Sequence, residues 1–489
     1  MAQLDKHHSR PALLAACVAV ACAAGRPAPP REPADLAAFA RAALKHAWDG
    51  YRKYAWGHDE LRPVSRTPRD WYGETLLITP VDALDSLILL GLSREADEAR
   101  AYIEANLSFD KDLEVKNFEI VIRVLGGLLS SYQLTSDARL LALADDLGRR
   151  LLPAFDSPTG MPYMNVNLRT GKASGAKSNP AEIGTLLLEL GTLARLTGND
   201  VYFAKAKRAL VELFSRRSPV GLVADEIDVE TGAWTSRESH VGGGIDSYYE
   251  YLLKAWLLFG DEDCRRMWTE SVDPVNRFVA DERSSGLWYG VIDFETGARL
   301  RPEYGALEAF FAGTLVLAGD LDRARRLQES NFRMWTAARA EADVFDYVAM
   351  RPLRPKWPLR PEIIESAYYL AAATGEPRWT AMGRRFAADI DACCKVDAGY
   401  TVLDDVQTGK QGDLMPSFFL AETLKYLWLL ERPHAIDLRE VVFNTEAHPL
   451  RRVPQPPSRR ASANAYAPSE TATLVPSRER PTPVRLSGW

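Results

Sequence analysis

Apolar residues between about positions 35 and 431 recur mostly at helical spacing. A break recurs between the apolar stretches. It consists of an apolar helix end, a small residue or glycine, and a polar residue that can cap the next helix. Gly198-Asn199, Gly260-Asp261 and Gly319-Asp320 are examples. Successive breaks leave room for two helices and a loop, so the pattern predicts a repeat of helical hairpins.

The two helices of each predicted hairpin differ in polarity. The first members are charged and amphipathic: 35–55, 94–106, 137–154, 200–216, 262–281, 320–339 and 378–394. The second members are apolar nearly all round: 80–92, 117–134, 181–197, 243–259, 305–317, 361–373 and 416–431. A helix that is apolar all round is buried. We therefore predict an all-α fold in which the second members form an inner ring and the first members an outer ring, an (α/α) barrel.

The two ends of the chain differ from the middle in composition. Residues 1–25 have a basic start and an apolar run too short to span a bilayer, which predicts a secretory signal peptide. Cys17 or Cys22 could instead be lipidated. Residues 26–34 are a Pro/Ala linker, 35–450 the helical barrel, and 451–489 a Pro/Arg/Ser-rich tail predicted to be disordered. We expect a secreted or periplasmic protein, with a lipoprotein as the alternative.

Composition limits the possible partners. The chain is 46% hydrophobic and 26% charged, which is ordinary for a globular protein, and its net charge is -6. That charge argues against a nucleic-acid or membrane-surface role, and no segment is expected to span a membrane. We expect a monomer. The body contains only Cys264, Cys393 and Cys394, which do not indicate a disulfide framework.

Carboxylates recur at the starts of the predicted inner helices. They are Asp82, Asp85, Glu119, Glu182, Asp246, Glu362, Glu365 and Glu422. All inner helices of such a barrel point the same way, so these carboxylates should meet at one mouth. Acids also favour helix N-termini through the helix dipole, which is the alternative explanation for each one taken singly. As a set they fit that explanation poorly, because buried helices should not carry repeated unpaired acids.

Other residues near these helix starts suggest a sugar-binding mouth. Arg123 and Arg360 are expected to be charge partners of Glu119 and Glu362. Aromatic residues also lie there: Phe118, Tyr248, Tyr249, Phe418 and Phe419. Paired carboxylates in such a mouth can act as acid and base on a glycosidic bond. Pro361 and the helix N-terminus should favour an ionised Glu362.

A short strand or hairpin is predicted around residues 441–449. Within it, Thr445 offers a hydroxyl and a carbonyl oxygen, and Glu446 lies beside it. Hard oxygen ligands of this kind suit Ca²⁺. The pair alone is a weak signal, since a threonine next to a glutamate is ordinary in a strand. The ring of carboxylates strengthens the prediction of a metal site at Thr445.

The sequence resembles the class I α-mannosidases, glycoside hydrolase family 47. The matching stretches occur in order over about residues 36–450: 54–63, 81–87, 117–129, 180–185, 246–254, 359–366, 417–426 and 445–449. The resemblance implies an (αα)₇ barrel plugged at one end by a C-terminal hairpin. It also implies calcium-dependent, inverting hydrolysis of terminal α-1,2-linked mannose in a mannose-containing oligosaccharide.

The resemblance also implies roles for particular residues. Glu119 matches the acid that protonates the leaving oxygen, Asp246 a third essential carboxylate sometimes proposed as the acid, and Glu362 the base. Thr445 matches the calcium ligand and Phe418 the aromatic under the mannose ring. The remaining matches are carboxylates that hold calcium-bound waters or sugar hydroxyls, and charge partners in the mouth: Glu182, Glu365, Glu422, Glu446, Arg123 and Arg360.

Some positions depart from the family pattern. Ala306 stands where the family usually has a histidine, Gly244 occupies a position tied to branch preference, and Pro416 replaces an acid found in many members. The cysteine pair of eukaryotic members is missing, with Ala309 and Asn331 at those positions. The acid, base and threonine positions are intact. These departures therefore bear on substrate range more than on chemistry.

Two other functions are compatible with the pattern. The first is a lectin-like member that binds mannose glycans with little hydrolysis. Release of mannose from α-1,2-mannobiose would separate it from an enzyme. The second is an (α/α)-barrel glycosidase without a metal, which would keep its activity on chelation.

Overall fold

Seven helical hairpins make up most of the computed structural model, which describes residues 30–452. The helices are α1 (Leu36–Tyr54), α2 (Ile78–Leu89), α3 (Ser93–Asn106), α4 (Asn117–Glu119), α5 (Gly126–Thr135), α6 (Ala138–Leu151), α7 (Pro180–Gly184), α8 (Leu187–Thr197), α9 (Val201–Ser215), α10 (Asp246–Phe259), α11 (Glu262–Pro274), α12 (Phe311–Ala318), α13 (Leu321–Ala337), α14 (Glu362–Thr374), α15 (Pro377–Cys394) and α16 (Leu424–Glu431). The predicted signal peptide, residues 26–29 of the predicted linker and the tail from residue 453 lie outside the described residues.

The helices form two concentric rings. In the inner ring α2 contacts α5, and the contacts continue through α8, α10, α12, α14 and α16 back to α2 by way of the turn before α16. The outer helices α3, α6, α9, α11, α13 and α15 each pack on the inner helix that precedes them, and α1 packs on α16. The predicted barrel and its inner and outer members are therefore confirmed.

Short turns link each inner helix to the next outer helix. Four of the inner helices end at a glycine with positive φ: Gly198, Gly260, Gly319 and Gly375. A left-handed residue ends a helix cheaply only when it lacks a Cβ. After two of these glycines, the side chains of Asp261 and Asp320 accept hydrogen bonds from backbone N–H groups of the next helix. Local sequence thus sets both the stop and the restart.

The connections at the other end are long and carry most of the strands. These strands are β1 (Glu60–Arg62), β2 (Thr67–Arg69), β3 (Glu114–Lys116), β4 (Asn165–Asn167), β5 (Ala173–Ser174), β6 (Lys177–Ser178), β7 (Ile227–Asp228), β8 (Glu238–Ser239), β9 (Ala280–Arg283), β10 (Gly286–Tyr289), β11 (Val291–Asp293), β12 (Arg299–Arg301), β13 (Glu303–Tyr304), β14 (Val344–Asp346), β15 (Arg351–Arg354), β16 (Lys395–Val396), β17 (Gly399–Tyr400), β18 (Leu403–Asp405) and β19 (Lys410–Gln411). They pair antiparallel in small sheets of two or three strands. They frame the end where the inner helices begin.

A C-terminal hairpin closes the fold. Its strands β20 (Val441–Phe443) and β21 (Pro449–Arg451) pair antiparallel, with Phe443 opposite Pro449. The hairpin contacts α10 and α5 of the inner ring. The side chain of Asn444 donates hydrogen bonds to the Ile122 carbonyl at 2.9 Å and to Glu189 at 2.8 Å. These buried bonds hold the turn of the hairpin between inner helices, in agreement with the predicted plug.

Several inner helices are less regular than predicted. Wide π-helical turns cover Ile120–Leu125 and Phe419–Thr423, and a tight 3₁₀ turn covers Leu307–Phe310. Helix α10 begins at Asp246 rather than near residue 243, because Gly244 has φ of 95° and stays outside the helix. The two π-helical turns carry Arg123 and Glu422, and π turns are frequent at functional sites. None of the helices in 30–452 is both long and apolar enough to cross a membrane.

Candidate active site

The starts of the inner helices enclose a cavity of about 300 Å³. All eleven site residues named from the sequence line it: Glu119, Asp246, Glu362, Arg123, Glu182, Arg360, Glu365, Phe418, Glu422, Glu446 and Thr445. They come from five inner helices and the C-terminal hairpin. The structure therefore brings the whole set together in one place, while their individual roles remain predictions.

Alternating charges run along one wall of the cavity. Arg123 lies between two carboxylates, with Nη2 2.9 Å from Glu119 Oε2 and Nη1 2.5 Å from Glu446 Oε2. Lys116 Nζ lies 2.6 Å from Glu182 Oε1 and 3.8 Å from Glu119 Oε1. Glu119 is thus flanked by a cation on each side. The guanidinium of Arg123 also lies 5.4 Å from the ring centre of Phe418.

Glu362 lies on a different wall, as the first residue of α14. Its Oε1 is 3.9 Å from Arg360 Nη1, and its buried Oε2 has no hydrogen-bond partner within 30–452. Burial raises the pKa of Glu362 to about 8, although Arg360 opposes the rise. Burial therefore opposes the ionised state that the helix N-terminus was expected to favour. The loss of hydration outweighs the helix N-terminus and the arginine.

The backbone beside Glu362 is held in an unusual conformation. Leu359 has a positive φ of 66°, which is costly for a residue with a side chain. Its carbonyl accepts a hydrogen bond from the buried hydroxyl of Thr423 at 2.7 Å. Thr423 belongs to the neighbouring inner helix, so packing between two helices fixes the segment that presents Arg360 and Glu362 to the cavity.

Asp246 opens α10 and faces the same cavity. Its Oδ1 accepts a hydrogen bond from the backbone N–H of Ser247 at 2.8 Å. Burial, followed by repulsion from Glu250 and Glu308, raises the pKa of Asp246 to about 7. A carboxyl with this pKa can hold a proton near neutrality and release it, which general acid catalysis requires.

Buried Lys254 lies next to two acids that line the cavity, Glu250 and Glu365. Lys254 is ion-paired with Glu250, and its Nζ lies 3.7 Å from Glu365 Oε1. Tyr426 donates a hydrogen bond to Glu365 at 3.2 Å. Burial nevertheless raises the pKa of Glu365 to about 8. Two further carboxylates, Glu422 and Glu446, also have raised pKa values because of burial.

The oxygens of Thr445 fit a calcium ion. Thr445 lines the cavity and donates its backbone N–H to Tyr251 Oη at 3.3 Å. No group in 30–452 donates a hydrogen bond to its hydroxyl or its carbonyl oxygen. The buried Glu182 Oε2 and Glu362 Oε2 are likewise without partners in that range. Oxygen donors suit Ca²⁺.

The arrangement of the cavity acids limits how they could hold such an ion. Within the part of the chain that the structure describes, no three His, Cys, Asp or Glu side chains are grouped closely enough to chelate a metal. Ca²⁺ accepts six to eight oxygen ligands and tolerates waters among them. Thr445 and the unpartnered oxygens of Glu182 and Glu362 would therefore be the candidate donors to such an ion.

Two carboxylates expected at the mouth lie elsewhere. Asp82 and Asp85 are fully buried under the C-terminal hairpin, where both contact His448. Lys425 Nζ also lies 2.7 Å from Asp85 Oδ1. The expectation that they share the mouth is wrong, because they face the hairpin. Three of the expected aromatic residues, Tyr248, Tyr249 and Phe419, are buried in the core and do not line the cavity.

Some residues at or near the cavity were not identified from the sequence. Lys116 and Glu250 line it. Glu250 could have been found, because Asp246, Glu250 and Lys254 are spaced four residues apart on one inner helix. Glu341 is fully buried, and neither of its carboxyl oxygens has a partner within 30–452. Burial and the nearby Glu362 raise its pKa well above the usual range. It lies in a connection whose pattern gave no signal.

Comparisons with known proteins agree with this architecture. Alpha-mannosidase I MNS4 of Arabidopsis thaliana is 39% identical over 470 residues, covering 91% of this chain and 74% of that protein. Human mannosyl-oligosaccharide 1,2-alpha-mannosidase IB is 37% identical, covering 83% and 68%. The solved structure of an alpha-1,2-mannosidase from Trichoderma reesei superposes with a TM-score of 0.80 at 27% identity, covering 86% and 99%. The model of glycosyl hydrolase family 47 matches residues 43–452, and the chain belongs to this family of glycoside hydrolases.

Proposed function

We propose that this protein is a calcium-dependent, inverting exo-α-1,2-mannosidase that releases terminal α-1,2-linked mannose from mannose-rich glycans. Membership of family 47 supports α-1,2-mannosidase activity, since similar proteins are named for it. The observation that carries the proposal is the single cavity in which Glu119, Asp246, Glu362 and Thr445 meet.

The proton for the leaving oxygen would come from Glu119 or Asp246. The inner helix that carries Glu182 lies between those of Glu119 and Asp246, and both residues line the cavity. Asp246, with a pKa of about 7, can carry the proton at neutral pH. Glu119, fixed by Arg123, can orient the water or sugar oxygen through which the proton passes. Cleavage needs one proton delivered to the leaving oxygen.

Glu362 would act from the opposite face of the sugar. Its unpartnered Oε2 can accept a proton from a water that attacks the anomeric carbon. The attack breaks the glycosidic bond from the far side and gives mannose with inverted configuration. Glu362 must be ionised for this step. Arg360 favours that state, and a bound calcium ion would add positive charge and hold sugar hydroxyls.

Phe418 and the carboxylates of the cavity would bind the terminal sugar. A cavity of about 300 Å³ is at the small end of ligand sites. That size suits one sugar ring held at the end of a chain, which is the requirement for an exo-acting enzyme. Phe418 offers an apolar face, and Glu182, Glu365, Glu422 and Glu446 offer acceptors for hydroxyl groups.

Proton NMR of the reaction with α-1,2-mannobiose tests the proposal. We expect β-mannose as the first product, no cleavage of α-1,3- or α-1,6-mannobiose, and loss of the reaction in EGTA with recovery on adding Ca²⁺. Release of α-mannose first would contradict inversion. Full activity without metal would favour a metal-free barrel glycosidase. Binding without release would favour the lectin-like function.

A further inference from the structure

We propose that Lys116 is a positioning residue that ties Glu119 and Glu182 together across two neighbouring inner helices and holds both in their working orientation. This inference rests on the proposed function, because it places Lys116 beside Glu119. Glu119 belongs to α4 and Glu182 to α7, and these helices contact each other. The ammonium of Lys116 pairs with both carboxylates, at 3.8 and 2.6 Å.

The local sequence does not explain a lysine at this position. Lys116 ends strand β3 and directly precedes the first residue of α4. A positive charge at a helix N-terminus has the unfavourable sign with respect to the helix dipole. Serine, threonine, aspartate or asparagine would also cap the helix better. The ion pairs with Glu119 and Glu182 offset this disadvantage, so the residue is explained by the cavity rather than by the helix.

The backbone around Lys116 is well fixed. Its N–H donates a hydrogen bond to Tyr72 Oη at 3.3 Å, and strand β3 pairs it with Asn165 of β4. The next residue, Asn117, donates its N–H to the Met164 carbonyl at 2.9 Å. The sheet therefore fixes the backbone of Lys116, and with it the position from which the side chain reaches the cavity wall.

Glu182 depends on Lys116 for its balancing charge. Its Oε1 pairs with Lys116, and its buried Oε2 has no partner in 30–452. Burial raises the pKa of Glu182 to about 7 even with the lysine present, and Glu119 and Asp246 add to the rise. Removing the ammonium should therefore protonate Glu182 at neutral pH. It would also remove one of the two cations that flank Glu119, so that only its ion pair with Arg123 remained.

Kinetics of three variants test the role. Lys116→Met removes the charge, and Lys116→Arg keeps it. Lys177→Met is the matched control, because Lys177 also lies in a strand just before an inner helix and pairs with Glu226 at 3.1 Å, outside the cavity. On α-1,2-mannobiose we expect Lys116→Met to lower kcat about 10²-fold with little change in KM. Lys116→Arg should retain most activity, and Lys177→Met all of it.

The pH profile distinguishes positioning from a purely structural role. We expect the dependence of kcat on pH to shift in Lys116→Met. Lys116→Arg and Lys177→Met should keep the wild-type dependence. An unchanged kcat in Lys116→Met, or a lower melting temperature with an unshifted profile, would overturn the proposal. A raised KM at normal kcat would also overturn it, since the lysine would then bind substrate directly.

A titration that needs no turnover keeps this inference separate from the proposed function. With ¹³C-labelled glutamate carboxyls, NMR can follow Glu182, assigned by its loss in Glu182→Gln. We expect its pKa to rise in Lys116→Met and to stay unchanged in Lys177→Met. An unchanged Glu182 titration in Lys116→Met rejects the role of Lys116. A wild-type protein that releases no mannose rejects the proposed function and leaves this readout intact.

Discussion

His448 and Asp85 are 363 positions apart in sequence, yet Nδ1 of the histidine lies 2.7 Å from Oδ2 of the aspartate. Both side chains are fully buried. The pair joins the C-terminal hairpin to inner helix α2, and Asp82 contacts the other ring nitrogen at 3.1 Å. Burial opposes a charged histidine, but the two aspartates outweigh it and raise the pKa of His448 to about 9.

Stability should therefore fall in mildly alkaline solution. The pKa of His448 is raised above the unfolded value of about 6.5, so its contribution is complete below about pH 6.5 and is lost as the pH rises through 9. We expect this loss to reach about 3 kcal/mol of unfolding free energy at most. Urea unfolding between pH 6 and pH 9 measures it.

Two variants separate the contribution of His448 to the pH dependence of stability from that of other groups. His448→Gln should flatten the pH dependence between 6.5 and 9. His46→Gln should leave it unchanged, because His46 bonds to the Val396 carbonyl rather than to a carboxylate. A His448→Gln protein with the same slope as wild type would show that the slope has another origin.

Removal of calcium should abolish turnover, and Thr445 should control its binding. Thr445→Val keeps the side-chain shape but removes the hydroxyl, so we expect calcium affinity to fall by about 10–100-fold or more. Thr445→Ser, which restores a hydroxyl, should bind nearly as well as wild type. Isothermal titration calorimetry of Ca²⁺ into each protein, after its metal has been removed with a chelator, measures these affinities. Equal affinities for all three proteins would place the ion elsewhere.

Calcium binding should also release protons. The pKa values of Glu362 and Glu182 are raised by burial to about 8 and about 7, so both are at least partly protonated at pH 7 without metal. A nearby cation favours the ionised forms. We expect about one proton released per ion at pH 7, declining above pH 8 as the sites ionise unaided. Calorimetry in buffers of different ionisation enthalpy gives the number, and a value of zero would contradict it.

Glu362→Gln tests the assignment of the base. General acid–base steps contribute roughly 10²–10⁴-fold, so kcat should fall by about that factor while KM changes little. The acidic limb of the pH–rate profile should disappear, because it reports protonation of the base. Glu376→Gln, a partly exposed carboxylate outside the cavity, is the control. If Glu362→Gln keeps normal kcat or loses the basic limb, Asp246 becomes the candidate base.

The mouth of the cavity should accept the ends of several branches of a high-mannose glycan. A Cβ built on Gly244 would have no atom closer than 3.8 Å, so the wall is open there. We expect α-1,2 linkages on different branches of a high-mannose glycan to be cut at rates within about tenfold of one another. Chromatography of partial digests measures this. A strong preference for a single branch would contradict it.

Gly244 can be probed directly. Its φ of 95° disfavours any side chain, so Gly244→Ala should cost about 1 kcal/mol or more of stability despite the available space. The branch rates of Gly244→Ala should stay close to wild type, because a methyl group does not fill the gap. A large change in branch preference would mean that backbone conformation, rather than open space, sets specificity.

The sequence by itself determined the repeat and much of the cavity. Glycine stops such as Gly260, capping acids such as Asp261 and apolar inner helices act within a few residues, so pattern and chemistry predict them. The common direction of the inner helices then placed the first turns of Glu119 and Glu362 at one end. Those consequences need only the fold class, which is why the eleven chosen residues lie around one cavity.

Only the tertiary structure decided which side of each helix start faces the cavity. Asp85 and Glu119 have the same local signature, yet Asp85 faces the hairpin and Glu119 the cavity. The difference depends on the rotation of each helix about its axis and on where the hairpin inserts. A short stretch of sequence carries no information on either. Lys116 was not identified from the sequence, because its partner Glu182 lies in a different helical hairpin. The pKa of Glu362 was misjudged because burial, a property of the whole fold, outweighed the local helix terminus.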